Sequence, residues 1–156
     1  MPNIPPLPKP SSPSAPESVN EKIKAYVLDS HARLALLQRE VGQERVAGLI
    51  ELAHKQKAAL YISLINWGEI FYIVARRQNA KVAKELMQDI EKLPLALAEV
   101  NRARVQAAAE VKSKYPVSYA DAFAVALARE YGALLVTGDP EFKAVEKMVS
   151  ILWLGD

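Results

Sequence analysis

Short apolar segments alternate with longer segments of helical periodicity along most of the chain. The strand candidates are "IKAYVLD" (23–29), "AALYIS" (58–63), "ALLV" (133–136) and "VSILWL" (149–154), while "PLALAEV" (94–100) is either a strand or a passage from strand to helix. Helices are predicted for residues 30–40, 43–57, 64–78, 80–93, 101–115 and 118–132, and a short helical turn for 140–147. Strands without polar alternation are typical of a parallel sheet with helices on both faces. The sequence therefore predicts an α/β fold, a three-layer sandwich around a parallel sheet.

The beginning of the chain has a different composition. Seven of the ten prolines fall within residues 1–16, and no apolar stretch of the kind found in signal peptides is present there. Such a segment favours extended, solvated conformations and has too little apolar area to form a core. We therefore expect a disordered, proline-rich tail over residues 1–20, one folded domain over residues 21–156, and no membrane segment.

Composition restricts the chemistry that this domain can perform. The chain has no cysteine and two histidines, which excludes thiol catalysis and leaves little for a histidine zinc site or a serine–histidine triad. The formal charge of +2 is too small for a field that attracts nucleic acid to the whole molecule, so any basic surface must be local. Carboxylates are the plentiful reactive groups. The lack of cysteine also fits a reducing cytoplasm.

Two aspartates follow predicted strands. Asp29 ends the first strand, and Asp139 follows the strand at residues 133–136. Each has an ordinary explanation, because Asp commonly starts the helix after a strand and commonly precedes proline in a turn. In a parallel sheet, however, both residues reach the same edge, where ligands bind in open α/β folds.

Glu69 lies within a largely apolar helix. Ile65 and Ile73 are one turn away on the same face, so an ionised Glu69 requires a compensating cation or a route to water. Arg76 is seven residues further on, about 10 Å along the helix axis, and is too distant to contact it. We expect a cation from outside the helix, or else a position at the margin of the apolar stripe.

Asp121 stands at the start of a helix rich in small apolar residues. The stretch "SYAD" matches a capping box in which Ser118 is the cap and Asp121 the third helical position. The helix dipole favours a carboxylate there by roughly 0.3–1 kcal/mol. Capping and catalysis are compatible roles for this side chain.

These acids are expected to meet at the carboxyl edge of the sheet. The helix of Asp121 precedes the strand of Asp139, so a crossover connection brings its N-terminus to that edge. Two like charges about 4 Å apart repel by roughly 4 kcal/mol at an effective dielectric of 20. The acids must therefore take up protons or bind a hard divalent cation, and oxygen ligands favour Mg²⁺ or Mn²⁺.

Four motifs together resemble the PIN-domain ribonucleases, and most closely the VapC-type toxins of toxin–antitoxin pairs. The motifs are "YVLDSHARLALL", "LINWGEI", "SYADAFAVALA" and "LLVTGDPEF", and the resemblance covers residues 24 to 154. It implies a catalytic and metal-binding quartet of Asp29, Glu69, Asp121 and Asp139. It also implies that Thr137 and Ser30 support the site and that Glu141 is an outer ligand of a second metal ion. His31 departs from the pattern and is assigned no role.

The resemblance further implies metal-dependent hydrolysis of RNA that leaves a 5′-phosphate and a 3′-hydroxyl. It implies a VapB-type antitoxin and a homodimer as well. Arg76, Arg77 and Lys143 are the candidates for RNA contact. Two alternatives stay open: a housekeeping RNA-processing nuclease of the same fold, and a catalytically inactive module that binds RNA or protein. The presence of all four acids favours an enzyme.

Overall fold

The computed structural model describes residues 23–37 and 41–155, so the predicted proline-rich tail lies outside the described residues. Five parallel strands form one sheet in the order β3-β2-β1-β4-β5. The strands are β1 Lys24–Leu28, β2 Ala58–Ser63, β3 Leu95–Ala98, β4 Leu134–Thr137 and β5 Ile151–Trp153. The predicted parallel sheet is confirmed. Residues 94–100, for which the sequence allows a strand or a passage from strand to helix, contain strand β3.

Helices connect the strands wherever the chain crosses from one to the next. They are α1 Ser30–Leu37, α2 Gln43–His54, α3 Leu64–Arg77, α4 Ala80–Glu91, α5 Arg102–Lys114 and α6 Tyr119–Tyr131, with a 3-10 turn at Pro140–Val145. No helix within residues 23–37 and 41–155 is both long enough and apolar enough to span a membrane.

Both faces of the sheet are covered. Val27 on β1 packs in the cluster that contains α5 and α6, whereas its neighbours Tyr26 and Leu28 pack in a cluster with α1 and α2. A third cluster joins α3 and α4 to Ile62 on β2. Because successive side chains of a strand point to opposite faces, this division makes α5 and α6 one layer and α1 to α4 the other. The predicted three-layer architecture is confirmed.

Capping residues fix where the helices begin and end. Ser63 accepts a hydrogen bond from the N–H of Ile65 at the start of α3, and Gly132 ends α6 with φ 58°, a conformation that glycine adopts without strain. From the sequence alone, Ser30 is a reasonable N-cap for α1, but the structure places the cap one residue earlier. Ser30 is the first helical residue, and the N–H of Ala32 donates to Asp29 Oδ1 at 2.7 Å, so Asp29 is the cap.

The strand order places a crevice at the carboxyl ends of β1 and β4. From β1 the chain builds outward through β2 to β3, and it then returns to the other side of β1 with β4 and β5. Such a reversal of direction is where open α/β sheets bind ligands. Asp29 follows β1 and Asp139 follows β4 at this crevice.

Candidate metal centre

Asp29 is held at the carboxyl end of β1 with 1% of its surface exposed. Its Oδ1 accepts the N–H of Ala32 at 2.7 Å, and its Oδ2 accepts the hydroxyl of Thr137, also at 2.7 Å. Burial raises the pKa of this carboxyl to about 7, the two hydrogen bonds oppose the rise, and the charges of Asp121 and Asp139 add to it. Near neutral pH, therefore, Asp29 exchanges a proton readily unless a cation is bound beside it.

Thr137 connects the two central strand ends. Its side chain is fully buried, donates to Asp29 Oδ2 and accepts the backbone N–H of Asp139 at 3.0 Å. A single hydroxyl thus fixes the orientation of Asp29 and the direction in which the chain leaves β4.

Asp121 lies in the first turn of α6, where its backbone N–H donates to Ser118 Oγ at 3.1 Å. Burial raises the pKa of the Asp121 carboxyl to about 6, and the charges of Glu69, Asp139 and Glu141 also act to raise it. Asp121 therefore interacts electrostatically with every other predicted acid of the site, because its own charge in turn raises the pKa of Asp29.

Three carboxylates form the tightest group. One oxygen from each of Asp121, Asp139 and Glu141 lies within 4.8 Å of the others. Glu141 is positioned by its own N–H, which donates to Asp139 Oδ1 at 2.9 Å. The three side chains range from buried to exposed, so the group faces solvent on one side. Oxygen donors at this separation suit a hard divalent cation.

The composition of this group differs from the expected quartet. Glu141, expected as an outer ligand, is one of its three members, whereas Asp29 and Glu69 lie beside it. Both neighbours accept hydrogen bonds within the protein: Asp29 from Thr137 and Ala32, and Glu69 from donors on two helices.

Glu69 is surrounded by neutral hydrogen-bond donors. Ser30 Oγ donates to Oε1 at 2.5 Å, Asn66 Nδ2 approaches the same oxygen at 3.4 Å, and the Tyr72 hydroxyl lies 3.5 Å from Oε2. No ion pair among the described residues includes Glu69, so the compensating cation expected from the sequence is not a side chain of this region.

Asn66 is a residue that the sequence reasoning missed. It is fully buried, and its Nδ2 also donates to Ala120 O at 3.3 Å, which joins the start of α3 to the start of α6. Its Oδ1 is buried and has no hydrogen-bond partner among the described residues. The available signal was its position three residues before Glu69, on the same helical face.

The three candidate RNA-binding cations lie on two elements, the last turn of α3 and the 3-10 turn after β4. The Arg76 guanidinium stacks over the Tyr72 ring, 5.2 Å from its centroid, so Tyr72 bridges Arg76 to Glu69. Arg77 is exposed at the end of α3, and Lys143 is exposed on the 3-10 turn that follows Asp139.

Solved structures share this fold at low sequence identity. VapBC2 from Rickettsia felis, bound to a promoter DNA fragment, is 18% identical with a TM-score of 0.62 over 80% of this chain and 96% of that chain. DNA-bound VapBC from Salmonella typhimurium is 13% identical, with a TM-score of 0.64 over 83% and 97%. VapC20 from Mycobacterium tuberculosis, a toxin that cleaves the sarcin–ricin loop, is 18% identical, with a TM-score of 0.60 over 77% and 94%. At these identities the likeness establishes the fold alone.

A search of curated proteins found no match to this sequence. A family model does match, and it spans residues 26–148, from the first strand through the 3-10 turn after Asp139. The matched region includes all of the carboxylates described above. On this match over most of its length, the chain belongs to the PIN-domain family.

Proposed function

We propose that this protein is a metal-dependent endoribonuclease that hydrolyses RNA phosphodiester bonds and acts as the toxin of a VapBC-type pair. PIN domains are nucleases, and the observation that carries the proposal is the group of Asp121, Asp139 and Glu141 oxygens within 4.8 Å of one another. No cysteine is present and histidine is scarce, so the acids are the groups available for catalysis.

The donor set fits Mg²⁺ or Mn²⁺. Asp121, Asp139 and Glu141 would hold the ion, with Asp29 and Glu69 beside them. When bound, such an ion acidifies a water molecule and stabilises the oxyanion that leaves phosphorus. The chain's own contribution is to orient the acids: Thr137 and Ala32 fix Asp29, Ser118 fixes the first turn of α6, and Ser30 fixes Glu69. The products would be a 5′-phosphate and a 3′-hydroxyl.

The partners belong to the same proposal. Structural neighbours of this chain are toxin–antitoxin complexes, which supports a VapB-type antitoxin, and a homodimer is proposed with it. Arg76, Arg77 and Lys143 are proposed RNA contacts. A location in the cytoplasm stays a prediction, and so does the division into a tail at residues 1–20 and a domain at residues 21–156.

The test is incubation of the purified protein with structured and unstructured RNAs, with EDTA, Mg²⁺ or Mn²⁺, followed by mapping of the ends. Cleavage should require the divalent ion and should be lost in Asp29→Asn, Glu69→Gln, Asp121→Asn and Asp139→Asn while the fold is retained. Glu110→Gln, which removes an exposed carboxylate from α5, is the matched control and should cleave normally.

Two results would contradict the proposal. Cleavage that is indifferent to chelation would point to another mechanism, and cleavage retained by Asp139→Asn would remove that residue from the site. RNA binding without cleavage under any metal condition would favour the inactive module on the same fold. A housekeeping nuclease would cleave as proposed but would be encoded without an adjacent antitoxin.

A further inference from the structure

A cavity of about 640 Å³ opens directly beside the carboxylate group. It lies between α2, the segment that follows β4 and the end of β5, and its lining includes Arg45, Gly138, Pro140, Lys143, Trp153 and Gly155. Gly138 and Pro140 flank Asp139 in sequence, so this cavity shares a wall with the proposed metal centre. Its volume falls within the range of roughly 300–1,000 Å³ that is usual for small-molecule sites.

The cavity carries the opposite charge to the group beside it. Among the residues that the structure describes, its lining contains two cations and no acidic residue. Arg45 donates from Nη1 to the backbone oxygen of Trp153 at 2.6 Å, and its other guanidinium nitrogens form no hydrogen bond to the described part of the chain. Neither Arg45 nor Lys143 takes part in the ion pairs formed within the described residues. An anionic ligand that reaches both places would meet carboxylates at one end and cations at the other.

Trp153 adds an aromatic surface to these cations. Trp153 is partly buried and packs against the core cluster between the sheet and the layer of α5 and α6. It also lines the cavity. The hydrogen bond from Arg45 to its carbonyl further restricts this end of β5. An aromatic residue that lines the same cavity as two cations is a combination with which proteins bind single-stranded nucleic acid: bases stack on the ring, and the cations contact phosphates.

We propose that this cavity binds one nucleotide of a single-stranded RNA, adjacent to the bond that is cleaved. The base stacks on Trp153, and Arg45 and Lys143 contact the flanking phosphate. This inference rests on the proposed ribonuclease function and assigns a substrate subsite to it. It involves no reaction step of its own, because the subsite only positions the strand across Asp139.

Binding can be measured without cleavage in EDTA. A fluorescently labelled oligouridylate hexamer is titrated against each variant, with anisotropy as the readout, at several salt concentrations. Lys143→Gln and Arg45→Gln should each weaken binding and lower the slope of log affinity against log salt by about 0.7, the value for one phosphate contact on a single strand. Arg45→Lys should restore most of the slope. Lys57→Gln is the matched control, because Lys57 is exposed at the opposite, amino edge of β2.

Stacking has a separate readout. The chain has two tryptophans, so Trp67→Phe leaves Trp153 as the only one, and its emission should be quenched as the hexamer binds. Trp153→Ala should weaken binding roughly tenfold or more, while Trp153→Phe should retain most of it. The anisotropy titration does not depend on the Trp67→Phe background, and thermal unfolding of each variant checks that it is folded.

The results separate the two proposals. If the cavity variants bind as Lys57→Gln does, or if Trp153 emission is unchanged when RNA is bound, the subsite is overturned even though metal-dependent cleavage persists. If the wild-type protein neither binds nor cleaves RNA, the proposed function fails and the subsite fails with it.

Discussion

Asp29 accepts two hydrogen bonds within the protein, one on each carboxylate oxygen, and it is the most deeply buried of the acids. Both donors stabilise its ionised form, yet burial still raises its pKa to about 7. The residue is therefore balanced between its protonated and ionised forms near neutral pH. A substitution at Thr137 and the pH dependence of the metal-free protein test this balance.

The first is Thr137→Val, which keeps the shape of the side chain and removes the hydroxyl that donates to Asp29. A lost hydrogen bond to a charged group costs about 1.5–3 kcal/mol. Because the charge on Asp29 develops above pH 7, the metal-free variant should be destabilised more at pH 8 than at pH 5. Urea unfolding at both pH values measures this difference. Thr137→Ser retains the hydroxyl and is the control; equal destabilisation by valine at both pH values would contradict the argument.

The second test is how the stability of the metal-free protein depends on pH. The folded pKa of Asp29, about 7, lies above the unfolded value of 3.8, so between these values the folded state binds the extra proton. The contribution of Asp29 to stability in EDTA should therefore be fully present near pH 4 and be lost as the pH rises to about 7. The loss amounts to a few kcal/mol at most, on the order of 1.4 kcal/mol per pH unit.

Asp29→Asn should reduce that slope and make the metal-free protein more stable than wild type at pH 8. The amide can still accept the N–H of Ala32 and can donate to the Thr137 oxygen, so the variant loses the charge and keeps both contacts. Glu110→Gln should leave the slope unchanged. An unaltered slope in Asp29→Asn would mean that its carboxyl does not titrate in this range.

At the scale of elements, α6 connects the core to the site. Its small residues pack closely against the sheet and α5, and its first turn presents Asp121. Arg104 on α5 holds the far end of α6 through a two-pronged contact with Glu130, at 3.0 and 2.8 Å. The ion pair thus anchors the C-terminal end of α6. At the N-terminal end, the side chain of Ser118 is the capping contact.

Ser118→Ala should therefore loosen the end of α6 that matters for the site. Loss of an N-cap side chain costs about 1 kcal/mol, which urea unfolding should detect. RNA cleavage should fall as well, since Asp121 lies in the turn that frays. Ser118→Thr keeps the hydroxyl and should preserve both properties. Full activity in a destabilised Ser118→Ala protein would show that the cap supports the fold without positioning Asp121.

The elements themselves were largely predictable, and the side-chain contacts were not. Apolar runs with no polar alternation identified the strands that lead to Asp29 and Asp139, and parallel topology then placed both at one edge. Boundaries shifted where tertiary hydrogen bonds intervene: Ala133 was expected in β4, but its N–H donates to Ala128 O and completes the end of α6. Which acids contact one another depends on donors distant in sequence, such as Thr137 for Asp29, and no local pattern reveals those.

The whole molecule determines how a bound cation would act on stability. The three carboxylates of the tight group come from α6 and from the segment after β4, whose buried side chains belong to the same core cluster. A cation bound by the folded state alone stabilises it by mass action. Binding would also relieve the repulsion between the acids, so we expect the metal-free protein to be less stable than the metal-bound protein at neutral pH.

Addition of Mn²⁺ or Mg²⁺ should therefore raise the melting temperature of the wild-type protein. At one hundred times the dissociation constant, the gain is about 2.7 kcal/mol, which corresponds to a shift of roughly 5–10 °C for a domain of this size. Glu141→Gln should lose much of this shift, because Glu141 belongs to the group of three, whereas Glu110→Gln should keep it. Differential scanning calorimetry with and without the ion measures both. A full shift in Glu141→Gln would assign the cation to Asp29, Glu69, Asp121 and Asp139 and return Glu141 to an outer position.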